Sequence, residues 1–297
     1  MNNNRDSSAG TETLLFLLMA SFWALNFPLV KIALIYEPPM YLLLFRIILG
    51  FATSFLLFRH VRVPKDLKSN IFIFLVSVFN LVILMGFWFI GETTESSSIS
   101  AILIYTYPLF NILFAYLFLH EKLSYMSVIG TMIGFAGIVL IFSHGLVIEH
   151  STGIILLLIA AISWATGTVI YKKYLSPRVD AATVNTFQFL YAMPVILIWA
   201  LATEKFNFSG LSVSFIMIIT YMGVLGTGVA YFIYFYLYRK YNLSSISSYF
   251  FIVPALSILF AYLILGEVES YLTYIGFLLV AIGIYFSSKN NHYKNDK

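Results

Sequence analysis

The chain has 297 residues, of which 61% are hydrophobic and 10% charged, with a mean hydropathy of +0.91 and a formal net charge of +4. Soluble domains carry roughly 25% charged residues, so lipid has to be the solvent for most of this chain. The basic residues are scattered between apolar runs rather than gathered on one face, which argues against nucleic acid as a partner; with no cysteine there is no disulfide framework, thiolate metal site or catalytic thiol.

A polar tail, residues 1–13, precedes a first apolar run that is too long for a signal-peptide core and reads as a permanent span. A helix needs about 20 mainly apolar residues to cross a bilayer. Such runs fall at 14–34, 40–58, 71–91, 98–119, 125–143, 153–171, 181–202, 211–236, 244–265 and 271–287. The eighth has the softest boundary, because Tyr231 to Tyr238 (YFIYFYLY) has the composition of a segment lying along the interface. The runs are continuous rather than alternating, so helices and not barrel strands are expected. Even-numbered connections and both tails hold 14 Lys and Arg residues, whereas odd-numbered connections hold only Lys31 and Lys205. That bias places both termini in the cytoplasm and agrees with an even number of spans.

The stretch from Pro108 to Glu121, PLFNILFAYLFLHE, returns from Pro254 to Glu267 as PALSILFAYLILGE, with nine of fourteen positions identical. Trp23-Ala24 with Lys31 is echoed by Trp164-Ala165 with Lys172; Arg46 aligns with Gln188, His120 with Gly266, and Gly130 and Gly137 with Gly276 and Gly283. The expected division is a five-helix repeat at 14–143, a connection at 144–152, a second repeat at 153–287 and a cytoplasmic tail at 288–297. Five spans per copy is an odd number, so the second copy enters the membrane from the opposite side. The fold class is then an all-α membrane protein of ten transmembrane helices in two inverted repeats, an arrangement used by secondary transporters.

Several residues stand out within the spans. Pro108 and Pro254 interrupt spans 4 and 9 at corresponding depths, which frees backbone polarity towards a cavity and marks them as helix breaks or gating points. Pro28 and Pro194 have no such partners. Arg46 is the basic residue well inside a span, and a buried charge is a functional candidate; Glu92, Glu95 and Glu37 are the carboxylates at a suitable depth to pair with it, with an outer gate or an anionic substrate group as its role and a snorkelling or carbonyl-capping arginine that merely fixes span 2 as the plainer alternative. Trp23, Asn26, Asn80, Trp88, Tyr105, Asn111, Trp164, Thr168, Asn185, Gln188, Tyr234 and Tyr249 are the embedded polar or amphipathic side chains. Apart from Thr168, these and Arg46 are the candidate substrate-binding set, since rings and amides suit a small amphipathic solute; glue between helices is the competing role for each. Glu121 and Glu267 read as helix ends in the polar interface, and no Asp or Glu lies at mid-depth. Spans 5 and 10, with their glycines, are braces beside the cavity or a homodimer contact.

His60, His120, His144, His150 and His292 fall near span ends or in tails, and there is no HExxH helix. No catalytic residue, metal or cofactor is expected. The five-plus-five pattern, the Trp-Ala…Lys spacing opening each half, an Arg in span 2 and a Pro-led fourth span ending in Leu-x-Glu resemble the drug/metabolite transporter superfamily, EamA type. The resemblance implies a carrier in the cytoplasmic membrane that moves amino acids or related small metabolites, often outward, through a cavity between the halves. An intramembrane enzyme or a non-transporting scaffold is the alternative.

Overall fold

The computed structural model describes residues 3–120, 125–145, 151–241, 250 and 252–289. Ten helical rods account for nearly all of them. They are α1 (Asn3–Ala33), α2 (Pro39–Leu57), α3 (Leu67–Thr94), α4 (Ser97–Leu119), α5 (Tyr125–Gly145), α6 (Thr152–Leu175), α7 (Ala181–Thr203), α8 (Val213–Lys240), α9 (Ile252–Leu265) and α10 (Tyr271–Lys289). Seven of them contain stretches long and apolar enough to cross a bilayer, and α5, α9 and α10 contain shorter apolar stretches. Large apolar side chains such as Leu56, Met132, Ile198 and Leu263 point outward and are exposed, the surface a lipid solvent requires.

Local chemistry sets the starts of these rods. Asp66, Ser96, Asp180 and Ser212 each accept a hydrogen bond from the backbone N–H three residues on, satisfying an orphan donor of the first turn. Where α4 ends, His120 adopts a left-handed φ of 56°, and the aligned Gly266 after α9 adopts 69°. The stop signal is thus shared although only one copy has the residue that takes this conformation freely.

Contacts at the rod ends fix the alternating path. On one face, the α1–α2 corner meets the end of α7: the Asn207 side-chain amide donates to the Tyr36 carbonyl at 2.8 Å. The start of α4 meets the end of α9 on the same face, where Ser97 and Ser98 donate to Glu267. On the other face Lys240 pairs with Glu12, and Lys173 donates to the Phe118 carbonyl at 2.8 Å. Each rod therefore crosses once, and equivalent corners lie on opposite faces.

Three helices contain a π-helical turn: Val78–Ile83 in α3, Val224–Val229 in α8 and Tyr171–Leu175 in α6. The first two occupy the same register when Pro108 is aligned with Pro254. α5 and α10 pack on each other within the chain at glycines: a Cβ on Gly137 would stand 2.6 Å from the Gly276 carbonyl oxygen, and one on Gly283 2.6 Å from that of Gly130.

The soft boundary of the eighth span resolves as helix: Tyr231 to Tyr238 continues α8 past the expected end at 236, and Tyr231, Tyr234 and Tyr238 are buried in the bundle. The run is aromatic because it packs against α1, α4 and α6, a role that composition does not distinguish from an interfacial belt.

Candidate functional site

Between the halves lies a constricted cavity of about 20 Å³, room for about one water molecule, lined by Trp23 and Phe27 of α1, Arg46 of α2, Leu84, Met85 and Trp88 of α3, Ile104 and Tyr105 of α4, Trp164 of α6 and Tyr231 of α8. None of these side chains is more than 6% exposed. The site is occluded from both faces in this conformation.

The break in α4 puts its wall in place. Helix runs to Ile104, turns at Tyr105 and Thr106, and resumes at Tyr107 with Pro108 in its first turn, so the proline ends one segment where Tyr105 enters the cavity. Pro254 occupies the first turn of α9. The rings then lock on one another: Trp23 meets Trp164 and Tyr231 at 5.4 Å, Phe27 meets Trp88 at 4.4 Å, and Tyr107 stacks behind Trp164 at 3.8 Å.

Arg46 is held by α8 and not by a carboxylate. Its Nε donates to Thr227 Oγ1 at 2.7 Å and its Nη2 to the Gly226 carbonyl at 3.3 Å, while Trp23 Nε1 donates to the same carbonyl at 3.1 Å. Gly226 and Thr227 belong to the π-helical turn, where the widened register frees a carbonyl from the helical ladder. This corrects the pairing with Glu92, Glu95 or Glu37 and matches the carbonyl-capping alternative: among the described residues the α8 carbonyl offers a neutral acceptor closer than any carboxylate. The guanidinium lies over Trp88 at 5.4 Å and Phe89 at 5.7 Å, and its Nη1 has no hydrogen-bond partner among the described residues. A buried donor in that state costs roughly 1–3 kcal/mol.

Of the other residues singled out by sequence, Trp23, Trp88, Tyr105 and Trp164 line the cavity, and Tyr234 stands one layer behind, bonded to Thr168 Oγ1 at 2.6 Å and Trp164 Nε1 at 3.1 Å. Asn185 joins helices, donating to Ser54 Oγ at 2.9 Å and the Gly228 carbonyl at 3.0 Å, with Gln188 donating to it at 3.4 Å. Asn26, Asn80 and Asn111 are buried, and their amides have no hydrogen-bond partner among the described residues. Tyr249 and Glu121 lie outside the described residues. Phe27, Leu84, Met85, Ile104 and Tyr231 were not singled out; apart from Tyr231 they are apolar residues indistinguishable in sequence from lipid-facing ones.

Asn26 and Asn80 are placed by symmetry. Asn26 of α1 lies against Gly226 of α8, where a Cβ would stand 2.5 Å from its Oδ1, and Asn80 of α3 lies against Gly167 of α6, where a Cβ would overlap its carboxamide. In the repeat register Asn26 aligns with Gly167 and Asn80 with Gly226. The two contacts are thus one contact made twice, each joining the halves at a π-helical turn.

A second pair closes the ends. Lys31 Nζ donates to the carbonyls of Glu92 at 2.7 Å and Glu95 at 2.6 Å, where α3 ends. The aligned Lys172 donates to those of Tyr238 at 2.8 Å and Tyr241 at 2.9 Å, where α8 ends, on the other face. A cation on the last carbonyls of a helix answers both its orphan acceptors and its dipole. Outside the spans, burial pushes the Glu37 carboxyl up, and it does the same to Glu204, whose oxygens accept from the Met40 and Tyr41 N–H groups. Asp66 is lowered by its hydrogen bonds from Ser69. Among the described residues no cluster of His, Asp and Glu could hold a metal ion.

Comparison with known proteins places this geometry. The family model for the EamA-like transporter family matches twice, at residues 11–143 and 151–289. A Bacillus subtilis protein named "Uncharacterized transporter YvbV" is 30% identical over 277 residues, covering 91% of this chain and 89% of its own. The "Uncharacterized transporter in sor 3'region" of Acidianus ambivalens is 35% identical over 209 residues, covering 69% and 80%. A solved crystal structure superposes with a TM-score of 0.71 at 17% identity, over 93% of this chain and 95% of the other, which shows a shared fold. The chain is a multi-pass membrane transporter and belongs to the EamA-like transporter family.

Proposed function

We propose that this transporter is a secondary carrier of small organic metabolites, amino acids or closely related compounds, working by alternating access around the cavity between its halves. The observation that carries the reading is Arg46: a fully buried guanidinium at the cavity wall with one amino group left without a protein partner, surrounded by aromatic rings. A carboxylate can take the free Nη1 as a charge-assisted bond while an apolar part of the solute meets Trp23, Trp88 or Tyr105. Lys31 of α1 and Lys172 of α6 support alternation, since each fastens the end of a cavity-lining helix, α3 or α8, at a different face.

Export across the cytoplasmic membrane, with both termini inside, is the direction and orientation inferred from the positive-inside pattern and the family resemblance. The purified chain in liposomes loaded with unlabelled amino acids is expected to take up labelled amino acids by counterflow, saturably and with no conductance. Conductance without counterflow would make it a channel, and neither would overturn the carrier reading.

A further inference from the structure

Glu92 is a buried carboxylate that the cavity does not use. It lies one turn beyond Trp88 in α3 and is fully buried. Its Oε2 accepts from the Trp88 indole N–H, and its Oε1 has no partner among the described residues. The charged groups around it are Lys31 from α1, Arg46 from α2 and Glu267 from the end of α9, together with Glu95 at the end of its own helix. Lys31 spends its ammonium on main-chain carbonyls, Arg46 on Thr227 and Gly226, and Glu267 accepts from Ser97 and Ser98 of α4. α6 packs against the neighbouring Gly91 through Gly153 and Leu157, neither of them titratable. An anion with one donor and no ion pair, away from water, is poorly solvated; a carboxylic acid, carrying its own O–H, fits the same place.

The carboxyl is also wired to the cavity. The Trp88 ring is part of the wall, packs on Phe27 at 4.4 Å and lies over Arg46, so any solute that displaces the ring strains or breaks its bond to Glu92. The second half has no counterpart: in the repeat register Glu92 aligns with Tyr238, whose hydroxyl meets that of Tyr107 at 3.1 Å. One acid per molecule sits beside the cavity, and it stands at one face only.

We propose that Glu92 is a proton-binding site that couples transport to the proton gradient, with Trp88 as the link to the cargo. In the occluded form the proton sits on Oε1 while Oε2 accepts from the indole. When the Lys31 end of α3 opens, the carboxylate takes up a proton from the water of that face; when the Lys172 end of α8 opens, the proton leaves Oε1 through the cavity to the opposite face, so one proton crosses per cycle. This rests on the carrier reading, and its test separates the two.

Infrared pH-difference spectra of the purified full-length chain are expected to show the carbonyl stretch of a buried protonated carboxyl, lost in Glu92→Gln. Trp88→Phe, which keeps the acid and removes its donor, is expected to shift that band. A Glu92→Gln spectrum identical to that of the native chain, or, where that variant does not fold, a band unmoved in Trp88→Phe, overturns the proposal. In liposomes holding a pH-sensitive dye, counterflow-competent native protein is expected to move protons when labelled amino acids cross a gradient, and Glu92→Gln to lose the dye signal. Net movement of labelled amino acids down their gradient by the native chain with no proton movement sinks the coupling and leaves the carrier standing. No exchange of the amino acids sinks the carrier reading, and the infrared band still decides whether Glu92 binds a proton.

Discussion

The two halves share a frame and differ in what they place around the centre. Both fasten a helix end with a lysine, both put a π-helical turn in their third helix, and both end their fourth helix in a left-handed residue. Yet eight of the ten residues lining the cavity come from the first half. Trp88 of the wall aligns with Tyr234, Glu92 with Tyr238 and Arg46 with Gln188. In the second half the corresponding space is filled by Tyr234 bonded to Thr168 and Trp164, with Phe250 against Tyr238. A duplicated scaffold therefore holds an unduplicated site: symmetry governs the frame, and the side chains that line the cavity are concentrated in one copy.

The sharpest break in that comparison is to make the halves alike at Arg46. Arg46→Gln removes the charge-assisted donor and leaves the Gly226 carbonyl and Thr227 hydroxyl to a weaker amide; bonds to charged groups contribute about 1.5–3 kcal/mol, which corresponds to a loss of about tenfold to a hundredfold in amino acid counterflow at equal membrane abundance. Gln188→Ala gives up one long contact, to Asn185, and is expected to cost far less. Equal losses in the two variants would mean that the polar asymmetry has no bearing on cargo.

The next effect is on stability and treats the halves as equals. A methyl at Gly137 meets the backbone of α10 at the Gly276 carbonyl and the Val280 nitrogen, neither of which can rotate away. Gly137→Ala should destabilise by about 1–3 kcal/mol, the range for overpacking, seen as a lower melting temperature. Gly134→Ala meets only the end of the Leu109 side chain, which has other rotamers, and should cost less.

The lysines come third. Lys31→Met and Lys172→Met each remove two charge-assisted bonds to helix-end carbonyls and should lower stability by similar amounts, on the order of 1–2 kcal/mol given partial exposure. Their functional effects should oppose each other, because they free opposite faces. The chain has no cysteine, so a single cysteine at Phe27 reports access to the cavity: its labelling from the Lys31 face should rise in Lys31→Met and fail to rise in Lys172→Met. A rise in both would mean that the two clamps do not work in alternation.

How much of this was legible in sequence follows the same division. The ten spans, the duplication and the buried arginine could be read because each leaves a mark at fixed spacing or against an apolar background. The α3 and α8 π-helical turns could not be: VFNLVI and VLGTGV share no signature, and a one-residue widening of a helix is set by what packs on it. The lysine spacing was visible as a repeat, but its meaning depends on which carbonyls lie one helix away. For Arg46 the sequence offered carboxylate partners and a carbonyl-capping role alike; which carbonyl accepts could not be read, because a backbone group freed by a π turn has no residue identity to search for. The cavity walls Phe27, Leu84, Met85 and Ile104 were invisible for the same reason that the spans were obvious, since every apolar residue looks alike when most residues are apolar.

The smallest predicted effect compares two ways of starting a helix. α3 is capped locally, Ser69 N–H donating to Asp66 Oδ1 at 2.7 Å, whereas α2 begins at Pro39 and takes its cap from the other half, Met40 N–H donating to Glu204 at 2.9 Å. The signs of their pH dependence are opposite. Asp66 is held below its ordinary value by its bonds from Ser69, so its contribution is present above the unfolded value and is lost as pH falls through the folded one. Glu204 and its neighbour Glu37 are raised by burial; the folded chain binds the extra proton, and their contribution is present below the unfolded carboxylate range and lost as pH rises through the folded values. Melting temperature against pH should therefore lose part of its acid-side fall in Asp66→Asn and part of its decline on the rising side in Glu204→Gln. If Glu204→Gln instead changed only the acid side, the cap from the second half would be acting as an exposed carboxylate, and the joint between α2 and α7 would be looser than the structure draws it.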